Sequence, residues 1–323
     1  MTVLITGVAG FIGSTLAERL LRNGHIVRGV DSFTDYYSPA AKRANIERAL
    51  DNPSFTLLEE DLATADAASI LLDVDVVVHL AGQPGVRLSW DEHFTTYLDR
   101  NVVSTQRLLE ALRERPHVPF LLASSSSVYG DAAAYPSRES DDLRPRSPYG
   151  VTKAAAESLT YSYAVNHGLR AVAMRFFTVY GPRQRPDMAT HRLISAALTG
   201  TPFTLYGDGT QLRDFTYVDD ICRAIERLVD GREIPEGLTP LNIGGDGSTS
   251  MRQLIALVEE ETGHRIDVRS GGAQAGDVRQ TGADVSLASS WLDWSPRVAV
   301  REGVRAHVAA VRSALAAEDQ PSA

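Results

Sequence analysis

Residues 3–13 read VLITGVAGFIG, and this stretch decides the fold. A short β-branched run, Val3 to Thr6, ends in Gly7, Gly10 and Gly13, and Ser14 to Arg22 then carries helical apolar spacing. A strand that turns on glycines into a helix is a device for holding a pyrophosphate. Gly7 permits the tight turn, Gly10 lets the backbone approach the anion, and Gly13 lets helix and strand pack closely, with the helix N-terminus facing the charge. Phe11 and Ile12, inside the turn, are read as lining the same ligand. Asp31 follows Gly13 by 18 residues at the end of the next β-branched run, close to the spacing of an acid that bonds the adenosine ribose hydroxyls. That favours NAD over NADP, although Lys42 and Arg43 are cations that, folded back over Asp31, would accept a 2′-phosphate. Lys42 is counted among the cofactor contacts. Asp61 with Leu62, and Leu80 with Ala81 and Gly82, follow the third and fourth strands and are placed at the adenine and ribose.

Outward from this turn, apolar runs alternate with amphipathic stretches. Strands are expected at 25–30, 54–59, 74–81, 119–124 and 169–177, and helices at 14–22, 97–115 and 149–166. Near-continuous apolar strands separated by helices indicate a parallel sheet covered on both faces, a doubly wound α/β (Rossmann) fold. Beyond residue 178 the periodicity weakens and Gly and Pro become frequent. Residues 1–178 are therefore read as the NAD-binding domain and 179–323 as a smaller substrate-binding region, with the chain near 214–245 rejoining the main sheet through LNIGG at 241–245. Residues 318–323, EDQPSA, read as a frayed tail.

Composition narrows the function. The 323 residues are 43% hydrophobic and 23% charged, as in an ordinary folded protein. A net charge of −9 without a basic block lacks the footprint of a nucleic-acid or anionic-membrane binder, so an anionic ligand needs local arginines. No apolar run approaches the ~18 residues of a membrane span, and the N-terminus lacks the basic region and cleavage site of a signal peptide. Cys222 is the one cysteine, so neither an internal disulfide nor a Cys/His metal framework can form, and a reducing cytoplasm fits. His79 reads as a core histidine and not a ligand.

Tyr149 and Lys153 stand four residues apart in a helical stretch, on one face. A phenol of pKa ~10 is a poor base at neutral pH, but a nearby ammonium and a nicotinamide cation stabilise its anion. Alone, the spacing describes a solvated helix pair. Its company is LLASSSSVYG at 121–130, where a strand ends in four serines on the side of the sheet that carries the glycine turn, and a serine there can aim a substrate hydroxyl at Tyr149.

Together with HLAG, YGVTK, RFFTVYGPR and RDFTYVDD, these segments resemble the extended short-chain dehydrogenase/reductases, the NAD-dependent nucleotide-sugar epimerases and dehydratases, over essentially the whole chain. The resemblance implies a catalytic triad of Ser125, Tyr149 and Lys153 and a tightly held NAD, with Ser124 and Phe176 beside it. Dehydratases and decarboxylases of that family carry an acid where this chain has Ser127, which argues against dehydration. DSFTDYYSPAAKRANIE, AGQPGVRLS, RFFTVYGPRQRPDMA and QAGDV are most similar to UDP-glucuronate 4-epimerases. Gly82, usually alanine there, and Arg192, usually lysine, depart from the pattern.

The implied reaction is inversion at C4 of a UDP-uronate through a 4-keto sugar. Ser126, Ser127 and Thr178 are expected to fix the sugar carboxylate so that the β-keto acid keeps its carbon dioxide. Arg87, Arg185, Arg192 and Arg213 are the cations for the diphosphate, Arg185 alternatively for the carboxylate. Asp277 is assigned to the nucleotide ribose, and Thr204 and Tyr206 to the uracil. Decarboxylation, epimerisation of a neutral UDP-hexose, and a non-catalytic NAD sensor stay open as alternatives. Relatives pair through two helices, here 97–115 and 149–166, so a homodimer is expected.

Overall fold

In chain order the strands are β1 (Thr2–Thr6), β2 (Ile26–Val30), β3 (Phe55–Leu58), β4 (Val76–His79), β5 (Phe120–Ser125), β6 (Arg170–Phe176), β7 (Thr178–Tyr180), β8 (Phe203–Tyr206), β9 (Leu212–Tyr217), β10 (Gly237–Ile243), β11 (Ser248–Ser250) and β12 (Val268–Gly271). The helices are α1 (Phe11–Arg22), α2 (Pro39–Leu50), α3 (Ala67–Ile70), α4 (Phe94–Tyr97), α5 (Ser104–Leu112), α6 (Pro148–His167), α7 (Ala189–Thr199), α8 (Val218–Val229), α9 (Met251–Thr262), α10 (Ser286–Leu292) and α11 (Val300–Glu318). This computed structural model describes residues 1–272 and 274–318. Of the expected frayed tail, Glu318 closes α11, and 319–323 lie outside the described residues.

Seven strands form one parallel sheet in the order β10-β6-β5-β4-β1-β2-β3. The apolar runs are buried on both faces because helices cover both. Leu16 and Leu20 of α1, Ile46 of α2 and Ile221 and Ile225 of α8 pack on one face with Val3, Ile5 and Val78. Leu108 and Leu112 of α5 and Ala156 and Ala164 of α6 pack on the other with Leu4, Val77 and Phe120. The order reverses between β1 and β4, which opens a crevice at the carboxyl ends of those strands, where α/β proteins take ligands.

β10 pairs with β6, Leu241 opposite Met174, so the LNIGG segment lies in the main sheet, and α8 packs on α1. A separate core, built from Leu193 and Ile194 of α7, Leu254 and Val258 of α9, and Val304 and Val308 of α11, supports the remaining strands. No helix of the described residues is long and apolar enough to cross a membrane.

One expected helix is broken. The 97–115 stretch is α4, then a π-helical segment Leu98–Val103, then α5. The wide turn carries Asn101, fully buried, whose Oδ1 accepts from Gln83 N at 2.7 Å while Nδ2 donates to Gln83 O and to Thr152 Oγ1, both at 3.0 Å. Apolar periodicity does not register such an insertion.

Candidate active site

The glycine turn closes on itself as its residues require. Gly7 has φ +68°, and a Cβ there would stand 2.8 Å from Ala81 N, while one at Gly13 would collide with the Gly7 carbonyl oxygen. Gly10 caps α1 without a side-chain hydrogen bond, and no acid occupies the first turn. The helix therefore presents bare N–H groups and positive dipole to the crevice. Asp31 is fixed at the end of β2, its Oδ2 accepting from Ala9 N at 3.1 Å and Oδ1 from Phe33 N at 2.9 Å. Glycine cradle, uncapped helix end and acid together fit a dinucleotide. Of the two cations near Asp31, Lys42 donates to Thr34 O at 2.8 Å and Oγ1 at 3.0 Å, and Arg43 pairs with Glu59 through both nitrogens, at 2.9 and 2.8 Å. Both cations thus already have partners in the fold.

Tyr149 enters the crevice from the first turn of α6. Pro148 presets that turn, and the Ser147 hydroxyl caps it by accepting from Gly150 N at 3.1 Å. Ser125 ends β5 and caps the short helix Ser126–Val128, its Oγ accepting from Ser127 N at 3.1 Å, with its hydroxyl near enough to the Tyr149 phenol to pull that group's pKa down. Burial pushes that phenol above its ordinary pKa, with the Ser125 bond and the Arg185 charge pulling the other way. Lys153 Nζ, one turn along α6, donates to Ala123 O at 3.0 Å, and burial lowers the lysine to about 8 against the opposing pull of Glu157.

Behind this pair runs a network that links two of the motif segments to α6. The Ser124 hydroxyl donates to Glu157, so its side chain supports α6 although the residue lines the crevice. Glu157 and Arg175 form a buried pair, Nη2 to Oε2 at 2.8 Å and Nε to Oε1 at 3.1 Å, and Arg175 Nη1 donates to Tyr129 Oη at 2.8 Å. His79 is a core histidine as expected: Nδ1 meets Thr6 Oγ1 at 2.7 Å, Nε2 meets Thr105 Oγ1 at 3.0 Å, and burial lowers it to about 3.

The crevice continues into the smaller lobe as one cavity of about 720 Å³. Its wall brings together every residue that the sequence assigned to catalysis, cofactor or substrate, while Arg43 stays outside it. The cofactor set is Gly7, Gly10, Phe11, Ile12, Gly13, Asp31, Lys42, Asp61, Leu62, Leu80, Ala81, Gly82, Ser124 and Phe176; with it stand Ser125, Tyr149 and Lys153. Ser126, Ser127, Thr178, Arg185 and Arg192 follow, then Arg87, Thr204, Tyr206, Arg213 and Asp277 at the far end. There Arg87 stacks on Tyr206, 4.1 Å from the ring centroid, and pairs with Asp277 at 3.6 Å. Arg213 is buried beside them, and that burial lowers its pKa while Asp277 opposes the shift. Arg192 lies over the Phe203 ring at 5.4 Å. Tyr36, Gln83, Arg100, Gln184 and Asp187 also line the cavity and were not singled out: four of them lie inside quoted motifs without a chemical signature of their own, and Arg100 lies in the π-helical segment.

Residues 3–244 match the model of the NAD dependent epimerase/dehydratase family. The chain belongs to that family. It is 43% identical over 314 residues to a Bacillus subtilis protein named as an uncharacterized UDP-glucose epimerase, YtcB, covering 97% of this chain and 98% of that one. It is 36% identical over 309 residues to a UDP-glucuronate 4-epimerase of Thermodesulfobacterium geofontis, covering 94% and 93%. The crystal structure of the Bacillus cereus UDP-glucuronic acid 4-epimerase in complex with UDP-glucuronic acid and NAD superposes with a TM-score of 0.94 at 40% identity, over 97% of this chain and all of that one. For a member of this family, Gly82 has a local explanation: a Cβ would stand 2.7 Å from Asn101 Oδ1 and 3.3 Å from Lys153 Nζ.

Proposed function

We propose that this chain is an NAD-dependent UDP-glucuronate 4-epimerase. The observation that carries the reading is the cavity wall that holds the Tyr149 phenol and the serine run. It contains neutral hydroxyls, Ser125, Ser126, Ser127 and Thr178, and a guanidinium, Arg185, which sits within Coulombic reach of the phenol. Such a wall suits a sugar that carries its own carboxylate, and it holds no acid of its own at the serine run. The superposed Bacillus cereus enzyme and the Thermodesulfobacterium relative support the same substrate class.

When bound, NAD supplies the hydride acceptor and donor that carry the sugar through its 4-keto form. The chain supplies the rest. Gly7, Gly10 and Gly13 hold the pyrophosphate on the α1 N-terminus, and Asp31 holds the adenosine ribose. Ser125 orients the C4 hydroxyl, and Tyr149 takes the C4 proton and later returns it, while Lys153, donating into the β5 backbone, keeps Tyr149 and the nicotinamide ribose in register. Arg87, Arg192 and Arg213 face the diphosphate and Asp277 the uridine ribose, with Thr204 and Tyr206 along the uracil. Ser126, Ser127 and Thr178 hold the carboxylate out of line with the 4-keto carbonyl, which protects it from decarboxylation.

A neutral UDP-hexose epimerase is the second reading, favoured by the 43% identical Bacillus subtilis relative. Pure protein incubated with UDP-glucuronate, without added cofactor, gives UDP-galacturonate by NMR under the first reading. Turnover of UDP-glucose alone establishes the second, and a UDP-pentose as main product establishes a decarboxylase. A partner copy is part of the proposal: Val151, Tyr161 and Val165 form an exposed apolar stripe along α6, with Leu98 and Val103 exposed on the adjoining segment. The single, buried cysteine suits the cytoplasm.

A further inference from the structure

Arg185 faces the phenol with one edge already taken. Its Nε donates to Asp187 Oδ1 and its Nη2 to Asp187 Oδ2, each at 3.0 Å, a side-on bidentate pair. That leaves the edge formed by Nη1 and the second Nη2 hydrogen for another acceptor. Asp187 is itself held from across the crevice, where the Tyr36 hydroxyl donates to Oδ2 at 3.2 Å while the Tyr36 ring lies 5.8 Å from the guanidinium. The loop carrying both residues is stapled by the buried Gln184, whose Nε2 donates to Val179 O at 2.9 Å and whose Oε1 accepts from His191 N at 3.0 Å. Arg183 anchors the same loop to Glu18 of α1 at 2.5 Å. Asp187 therefore meets Arg185 on a fixed frame and not through a chance surface contact.

If the substrate is the uronate proposed above, its carboxylate must be gripped in two orientations of the sugar and released between them, because inversion at C4 requires the 4-keto sugar to turn. An arginine with no other anion in reach would hold that carboxylate too well. We propose that Asp187 is a positioning residue that offers Arg185 a resident carboxylate, so that the guanidinium trades between Asp187 and the sugar as the sugar turns. Asp187 weakens ground-state binding of the uronate and speeds its reorientation. A neutral hexose, which has no carboxylate to trade, is indifferent to it.

The test is a split between KM and kcat. For Asp187→Asn the expected result with UDP-glucuronate is a KM lowered about fivefold, the scale of one partly exposed ion pair, with kcat lowered at least as much and the UDP-glucose parameters within twofold of the parent. Asp187→Glu, which keeps the charge, restores both. Tyr36→Phe, which removes only the bond to Asp187, moves KM and kcat in the same sense by about twofold and covers the case in which the Asp187 variant fails to fold. A parent enzyme that epimerises UDP-glucuronate, with variants whose KM rises or stays unchanged, or whose UDP-glucose kinetics fall equally, overturns the role of Asp187 alone. A parent enzyme that leaves UDP-glucuronate untouched overturns the substrate reading and this proposal together.

Discussion

Lys153→Met should stabilise the folded protein at neutral pH while abolishing turnover. Burial lowers the lysine from 10.5 to about 8, so the folded chain disfavours the ammonium that the unfolded chain carries freely. A difference of that size corresponds to roughly 3 kcal/mol. Because the folded pKa is the depressed one, this cost is fully present below about pH 8 and disappears as pH rises to the unfolded value near 10.5. Methionine removes the charge and also the Nζ bond to Ala123 O, which contributes about 1 kcal/mol. The balance at pH 7 is a gain of roughly 2 kcal/mol, seen as a rise of several degrees in Tm. Near pH 10.5 the gain vanishes and the lost hydrogen bond leaves a deficit of about 1 kcal/mol. Urea unfolding of both proteins, in the same ligand state at pH 7 and pH 10.5, measures the difference directly. A variant destabilised by the same amount at both pH values refutes the reasoning and shows that the ammonium is accommodated in the fold without cost.

Glu157→Leu leaves Arg175 charged and unpaired in the core and should cost about 3 to 5 kcal/mol in urea unfolding, the range for breaking a buried pair; a loss under about 1 kcal/mol would show the guanidinium finding other acceptors or water. Under the proposed reading, Thr178→Ala and Ser127→Ala each remove one bond to the sugar carboxylate, worth about 1.5 to 3 kcal/mol when charge-assisted, and should raise the pentose fraction among the products resolved by NMR; an unchanged ratio places the carboxylate elsewhere. Val165→Glu puts a charge into the exposed α6 stripe and should shift sedimentation from dimer to monomer; a parent protein that sediments only as monomer removes the dimer.

What the sequence showed plainly was whatever is local. The glycine spacing, the acid at the end of β2 and the tyrosine and lysine on one helical face each depend on a few neighbouring residues, and all converge on one cavity. Residues that act across the fold left no such trace. Asn101 matters because the π-helical turn aims it at Gln83 and Thr152, and nothing in its neighbours announces that turn. Asp220, in the RDFTYVDD motif, proves to be a staple, its Oδ2 accepting from Arg297 N and Val298 N at 3.0 Å each, contacts that span more than 70 residues of sequence. Spacing along a helix says that Lys153 is near Tyr149 and not where its Nζ points, which in the fold is the Ala123 carbonyl oxygen.

Burial of Tyr149 and Lys153 bears on the acid–base cycle. In the folded chain burial favours the neutral form of both groups: Tyr149 is raised and Lys153 lowered to about 8. Taking the C4 proton therefore calls for positive charge near the phenol oxygen, which stabilises its anion. Bound NAD would supply one such charge, and Arg185 is a cation of the chain within Coulombic reach of the phenol. The resting pair with Asp187 tempers that influence. The arginine proposed to meet the sugar thus also biases the proton on Tyr149, and the carboxylate it holds at a given moment sets how strongly. Substrate recognition and proton transfer are coupled through one guanidinium, so a substitution at Asp187 should shift the pH dependence of kcat as well as KM, and a variant that moves KM with an unaltered pH profile would separate the two.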